Sequence, residues 1–339
     1  AVNTMPLVEG CATVLVRRVP MDFEIPYTEE QERFRQEVRS FLEEVVPKDL
    51  ADPVDAREYS MELDRRWQEV HRVIGAKGWF YPTFSREIGG AGLSGDHETI
   101  IVEELRRAGV PANFTSANVV PPLVVWTTHE QKSKFLVPMV RAEKTCWNKL
   151  TEPQSGADLA NVKNRAIRDG DDWLLSGQNV FVSGRGEPSF LFGPFCTDPD
   201  APRHRNLGYF IIPVNGWDHV TGATGQSGLV IKEQNLIGGH NQHAIFMDNV
   251  RVPGDHLVGG DHQGWQVAGT TMESEHGGRG QAFPDNESVE NLLAYAKETK
   301  HDGGPLLSDP VLQQTAMTAY VDAHISGLLK KRVYWMYQN

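Results

Sequence analysis

Cysteine is scarce in this chain: three among 339 residues, Cys11, Cys146 and Cys196, far apart and never in CxxC spacing. An odd, dispersed set excludes a disulfide scaffold and a thiolate metal site, and it fits a reducing compartment. Basic charge is also short, with 33 Lys+Arg against 45 Asp+Glu and a formal net charge of -12. A nucleic-acid binder would carry a basic stripe, so that class is set aside. No apolar run approaches the ~20 residues that a membrane-spanning helix needs, and "CATVLV" is too short for a secretory core. The compartment expected from these absences is the cytoplasm or an organelle matrix. Neither a P-loop nor a G-x-G-x-x-G turn follows a strand, which excludes a Rossmann dinucleotide site. No Ser–His pair stands in a nucleophile-elbow context. His240 and His243 are three apart in a strand-like run, where i and i+3 face opposite sides, so no metal site is expected of them.

What is present is ordinary for a globular protein: 40% hydrophobic and 23% charged residues. The length allows two or three domains. Residues 1–20 show no periodicity and are expected to be an extension. Thr28-Glu29-Glu30-Gln31 reads as a capping box, after which Phe34, Val38, Phe41, Leu42 and Val45 share one helical face until Pro47. "MELDRRWQEVHRVIGAKGW" predicts a second helix with Leu63, Trp67, Val70 and Ile74 aligned, and "GDHETIIVEELRRAG" a third. "TTHEQKSKFLVPMVRAE" adds a short helical piece. The period then changes. "VKNRAIRDGDDWLLSGQNVFVSG" holds Asp-Gly, a hairpin signal, between strand-like runs. "SFLFGPFCT", "LGYFIIPV", "GLVIKEQN" and "HAIFMDNVRVP" continue as strands cut by Gly, Pro and Asn. Helical character returns with "GWQVAGTTMESE", "SVENLLAYAKETK" and "DPVLQQTAMTAYVDAHISGLLKKRVYWMY". The predicted fold class is therefore α+β: an N-terminal helical domain at 21–140, a middle β-barrel or sandwich at 141–257, and a C-terminal helical bundle at 258–339 that looks incomplete.

"LTEPQSGADL", Leu150 to Leu159, taken alone is an ordinary turn. It resembles the T/S-E-P-x-x-G-S-D flavin-contacting signature of the acyl-CoA dehydrogenases. "DGDDWLLSGQNVFVSG" is similar to that family's D-G-x-x-[apolar]-x-G-x-K-x-[aromatic]-[apolar]-[ST] run. "EIGGAGLS", "FMDNVRVP" and "GWQVAGTTMESE" resemble further family segments in the family's order, from Met21 to about residue 300. Helices, then a β-domain, then helices is that family's architecture. The resemblance implies tightly held FAD, an acyl-CoA substrate oxidised to a trans-2-enoyl-CoA, and a place in fatty acid or lipid metabolism such as β-oxidation. It also implies an electron-transfer flavoprotein as acceptor and a homodimer, homotetramer or heterotetramer.

Carried over residue by residue, Thr151 stands where a hydroxyl and backbone meet the flavin pyrimidine end, with Leu150 before it offering backbone donors. Asn148, Gly156, Ala157 and Val182 are further cofactor positions; at Gly156 the absence of a β-carbon permits close approach. Phe181 stands where an aromatic covers one flavin edge, and Ser183 where a hydroxyl lies near N5. Glu275, in "MESEHGG", stands at one of the family's two positions for the catalytic carboxylate, as in actinobacterial-type members. The other position lies beyond Asn339, and the chain stops inside a helical run short of a typical member. A helical glutamate is ordinarily a solvated charge, but Val267, Thr271 and Ser274/Glu275 fall along one side. Glu273 sits about 200° around the helix. Ala157, Glu273, Ser274 and His276 are candidate substrate contacts, and Gly277, Gly278 and Gly280 are expected to leave room for a bulky acyl group. The chain departs from the pattern at Ala157, which replaces a serine, at Asn148 and Lys149, which replace an aromatic and a small residue, and at "KETKHDGG". There Thr299 and Asp302 stand where many members carry Arg and Phe. Two other readings follow from these departures: a fold-retaining structural or regulatory subunit with weak FAD binding, and an oxygen-using relative, either oxidase or monooxygenase.

Overall fold

A computed structural model of the chain describes residues 27–51, 60–236, 241–276, 287–301 and 304–338. These residues belong to two compact units, one running from Tyr27 to Gly278 and the other containing Arg279–Asn339. The expected N-terminal extension, His240, Gly277, Gly278, Gly280 and Asp302 lie outside the described residues.

The first unit opens with α1 (Glu29–Val45), α2 (Lys48–Ala51), α3 (Met61–Ala76), α4 (Gly95–Arg107), α5 (Val120–Trp126), α6 (His129–Gln131) and α7 (Val137–Val140). The capping box at the start of α1 is formed: Gln31 N donates to Thr28 Oγ1 at 3.2 Å and Thr28 N to Gln31 Oε1 at 2.8 Å. Val38 and Leu42 of α1 meet Trp67, Val70 and Ile74 of α3 and Ile101 of α4 in one core. A single π-helical turn, Lys132–Leu136, joins α6 to α7. Pro138 sits just beyond it and cannot donate to the helix ladder.

Within this core Glu104 of α4 is only 2% exposed. Its carboxylate accepts from Arg39 Nε and Nη2 (2.9 and 2.8 Å), Arg107 Nε (2.7 Å) and Arg35 Nη1 (3.3 Å). Burial pushes this carboxyl up, but the hydrogen bonds from Arg39, Arg107 and Arg35 outweigh it and hold the group at about 2, below its ordinary 4.5. A depressed folded value contributes stability that is complete above the unfolded value and is lost as pH falls toward 2. Glu104→Gln is expected to cost about 2–3 kcal/mol, less than a wholly buried pair because the arginines reach solvent. Urea unfolding at neutral pH checks the cost, and the difference from wild type should shrink on acidification.

Next come β1 (Cys146–Asn148), β2 (Arg165–Asp169), β3 (Asp172–Ser183), β4 (Phe190–Cys196), β5 (Leu207–Pro213), β6 (Leu229–Asn235), β7 (Asn241–Pro253) and β8 (Leu257–Val258). They form one mixed sheet of eight strands in the order β6-β7-β3-β2-β4-β5-β8, with β1 parallel on β4. The hairpin from β2 to β3 turns at Gly170, whose φ of 64° suits glycine. The sheet curls on itself: Ile231 of β6, Ile245 of β7, Phe195 of β4 and Phe210 of β5 share a core with Trp147 and Trp173. Its closure is made by side chains, as in a barrel whose edge strands stay unpaired.

α8 (Gly264–His276) belongs to this first unit although its sequence groups it with the C-terminal helices. Gly264 lets it approach β5, since a β-carbon there would lie 2.6 Å from the Leu207 carbonyl oxygen. Val267 and Ala268 then join Val120, Leu123, Phe192, Tyr209 and Ile211 in a second core.

The second unit comprises α9 (Glu287–Glu298), β9 (Lys300–His301), β10 (Gly304–Pro305) and α10 (Pro310–Gln338). β9 and β10 pair antiparallel. Asp309 caps α10, its Oδ1 accepting from Val311 N at 2.7 Å and Leu312 N at 3.2 Å. No described helix is long and apolar enough to cross a membrane.

Candidate active site

β1 feeds directly into the "LTEPQSGADL" loop. Lys149 N donates to Phe192 O at 2.8 Å, and Glu152 and Ser155 exchange backbone hydrogen bonds of 2.8 and 3.1 Å around Pro153 and Gln154. The Glu152 side chain turns inward and is 2% exposed. Its oxygens accept from Lys163 N (2.8 Å), Asn164 N (2.9 Å) and Gln154 Nε2 (3.0 Å). A buried carboxylate must be paired or hydrogen-bonded, so this glutamate anchors the loop. Arg203 ion-pairs with Asp158 at the loop's far end.

The loop is fastened to β3 by its own carbonyl. Thr151 O accepts from Val180 N and from Asn179 Nδ2, both at 3.0 Å. Asn179 is in turn held by Asn164, whose Nδ2 donates to Asn179 Oδ1 at 2.8 Å. Here β3 loses register with β7 between Asn179 and Val182, and Phe181 takes a left-handed φ of 57°. That irregularity turns the Phe181 ring outward, 60% exposed. Ser183 is exposed on the same strand, its Oγ accepting from Gln242 Nε2 at 3.3 Å. Thr151, Phe181 and Ser183 are therefore brought together around one fastening. The Val182 side chain is not part of that face: it is buried in the sheet core. Asn148 is half-buried, with Oδ1 accepting from the Tyr209 hydroxyl at 3.4 Å.

The residues fit a flavin. The Leu150 and Thr151 N–H groups and the Thr151 hydroxyl donate to no described residue. Gly156 and Ala157 are exposed, and a β-carbon on Gly156 would meet only Thr151 Cγ2, at 3.8 Å. No described residue therefore requires glycine at position 156. Two clefts, of 330 Å³ beside Gln68, Lys144 and Glu187 and of 450 Å³ beside Arg165, Trp173 and Cys196, lie away from this face.

α8 supplies the third component. Val267 and Thr271 are wholly buried, while Glu273 is exposed on the outer side. Trp126 Nε1 donates to Thr270 Oγ1 at 2.9 Å, which fixes the helix rotation. Leu150 and Met272 both pack on the core that contains Val267 and Ala268, so the loop and α8 share a floor. The backbone of Glu275 lies in α8 one turn beyond Thr271. The side chains of Ser274, Glu275 and His276 lie outside the described residues.

Several supporting residues carry no local sequence signal. Asp64 of α3 accepts from Gly186 N (2.7 Å) and Arg185 Nη2 (2.9 Å), latching the helices to the turn after Ser183; burial pushes its carboxyl up to about 6. His243 stacks on Trp147, ring centres 4.3 Å apart, with Nδ1 bonded to Val182 O at 3.0 Å. Burial lowers this histidine to about 4, so it is neutral and structural. Lys149 is wholly buried beneath the loop. Burial pushes its ammonium down to about 7, against the pull of Glu152. No group of three or more His, Cys, Asp or Glu able to hold a metal occurs among the described residues.

Residues 28–143 match the family description "Acyl-CoA dehydrogenase, N-terminal domain". The acyl-CoA dehydrogenase IpdE1 of Mycobacterium tuberculosis is 30% identical over 314 residues, covering 87% of this chain and 77% of its own length. Acyl-CoA dehydrogenase FadE26 of the same organism is 28% identical, covering 84% of this chain and 70% of its own. The short-chain specific acyl-CoA dehydrogenase of Clostridium acetobutylicum is 30% identical, covering 84% and 73%. Among solved structures, the Tcur3481-Tcur3483 steroid ACAD superimposes with a TM-score of 0.72 at 26% identity, over 92% of this chain and 77% of that one. The ChsE4-ChsE5 complex from Mycobacterium tuberculosis shares the fold, with a TM-score of 0.69 at 24% identity over 91% and 77%.

Proposed function

The chain belongs to the acyl-CoA dehydrogenase family, and from that premise we propose how its residues divide the work: Glu275 takes the α-proton of an acyl-CoA thioester, and the face of Thr151, Phe181 and Ser183 holds FAD. When bound, FAD supplies the acceptor for the β-hydride, so that the product is a trans-2-enoyl-CoA. The observation that supports this reading is the fastening of Thr151 O to Val180 N and Asn179 Nδ2, which ties the two flavin-type motifs to each other. Leu150 and Thr151 present N–H donors toward the cofactor, and Phe181 and Ser183 flank them. Glu275 follows the buried Thr271 by one helical turn of the α8 backbone. A carboxylate there gains basicity as bound substrate excludes water. Ala157, Ser274 and His276 are assigned to the thioester and CoA; Glu273, being exposed, is assigned at most to the solvent edge of that site.

The acyl group is proposed to be bulky. Gly277, Gly278 and Gly280 follow the proposed base in sequence, and one structural neighbour is the Tcur3481-Tcur3483 steroid ACAD. An electron-transfer flavoprotein is the proposed acceptor. Assembly with a second copy or a related subunit is the proposed state, in line with the ChsE4-ChsE5 complex. Neither a flavin-poor subunit nor an oxygen-using relative is favoured, because relatives matched over most of this chain are named dehydrogenases. The test is anaerobic mixing of the FAD-loaded chain with acyl-CoA thioesters of graded bulk. Loss of the yellow colour together with a trans-2-enoyl-CoA product is expected; a chain that takes up no flavin, or flavin that no thioester bleaches, overturns the reading.

A further inference from the structure

Lys149 is the residue whose surroundings explain it least. It is 0% exposed, yet its Nζ has one protein acceptor among the described residues, the Pro194 carbonyl at 3.4 Å, and lies 3.8 Å from the centre of the Phe195 ring. A distance of 3.4 Å is beyond the ordinary N–H···O range, so three donors share one weak acceptor and the face of a ring. A β-carbon on Gly193 would lie 2.2 Å from the Lys149 carbonyl oxygen and 2.6 Å from its Cγ, so β4 needs glycine where it passes this backbone and the stem of the side chain. A methionine would fill the same space without burying a charge, and loosely compensated buried charge lowers stability. The lysine therefore serves something other than the stability of the sheet.

Its position shows what. Lys149 and Glu152 bracket Leu150 and Thr151, and both bracketing side chains are buried in the sheet interior while the two residues between them are half-buried. Glu152 is held by Lys163 N and Asn164 N, and Thr151 O by Asn179. Lys149 thus directly precedes the stretch whose N–H groups donate to no described residue.

We propose that Lys149 is a positioning residue for the cofactor: its buried amine-bearing side chain, next in sequence to Leu150 and Thr151, sets the shape and potential of that segment for the carbonyl-bearing edge of the flavin. This rests on the flavin reading above. The test is titration of the flavin-free full chain with FAD, with the flavin reduction potential and melting temperature measured alongside, in wild type, Lys149→Met, Lys149→Gln and Lys149→Arg. Lys149→Met and Lys149→Gln are expected to bind FAD at least about tenfold more weakly and to lower the potential, while melting at or above the wild-type temperature. Lys149→Arg, which keeps the charge, is expected to retain more affinity than Lys149→Gln. Lys149→Met that binds within about twofold of wild type with an unchanged potential overturns the proposal. Should Lys149→Met fail to fold, equal affinity in Lys149→Gln and Lys149→Arg overturns it equally. If the wild-type chain takes up no FAD, the flavin reading itself fails; if it does and Lys149→Met matches it, only this inference fails.

Discussion

Glu275→Gln is expected to slow reduction of the bound flavin by an acyl-CoA about 10²–10⁴-fold, the usual worth of a positioned general base. The amide keeps the shape of the side chain and removes its basicity, so FAD content and melting temperature should stay at wild-type values. Rapid mixing of each FAD-loaded variant with substrate under anaerobic conditions measures the rate. Glu273→Gln is the internal control: Glu273 is exposed on the outer side of α8, and its loss should change the rate by no more than a few-fold. A Glu275→Gln variant that bleaches at the wild-type rate would move the base elsewhere. Equal losses in the two variants would point to the helix as a whole rather than to one carboxylate.

Trp147→Ala carries the largest expected stability effect, about 3–5 kcal/mol for removal of a wholly buried indole. Trp147 is 0% exposed, packs edge-on to Trp217 and stacks on His243, and donates Nε1 to the Arg185 carbonyl at 3.2 Å. A β-carbon on Gly184 would lie 2.3 Å from its ring, so the turn after Ser183 rests on the indole itself. Losing the ring should therefore loosen the end of β3 as well as the core. The expected signature is a lower urea midpoint joined to reduced FAD occupancy. Domains of this kind hold only about 5–15 kcal/mol in total, so the variant should sit near its folding threshold at 37 °C. A fall in stability with wild-type flavin affinity would separate the core from the site.

The elements that sequence makes legible are those set by local chemistry. The capping box of α1 is an i to i+3 relation and forms as the residue types require. The β2–β3 hairpin follows from Asp-Gly, and the apolar face of α3 from helical spacing. α5 escapes notice because "VPPLVVW" shows no helical period; its prolines stand at the helix start, where missing N–H groups cost nothing. In the site, the types and order of residues give the Thr151 loop and Ser183, but not the shift of register in β3. That shift bends a phenylalanine to positive φ, a conformation which glycine would have signalled and phenylalanine does not. Glu152 reads as an acid in a surface turn and Lys149 only as a departure from the family pattern, whereas tertiary contacts from Lys163, Asn164, Gly193 and Phe195 bury both. The inward face of α8 was legible through Val267 and Thr271. Its attachment to the first unit was not, because that depends on Gly264 meeting Leu207 across 57 residues of chain.

The most direct measurement is a crystal structure of the FAD-loaded chain with a non-reacting acyl-CoA analogue bound. The expected result places a Glu275 carboxylate oxygen about 3–3.5 Å from the analogue's α-carbon position, with the flavin on the opposite side of the acyl chain against Thr151, Phe181 and Ser183. A Glu275 carboxylate in bulk solvent, or flavin seated away from Thr151, would contradict it.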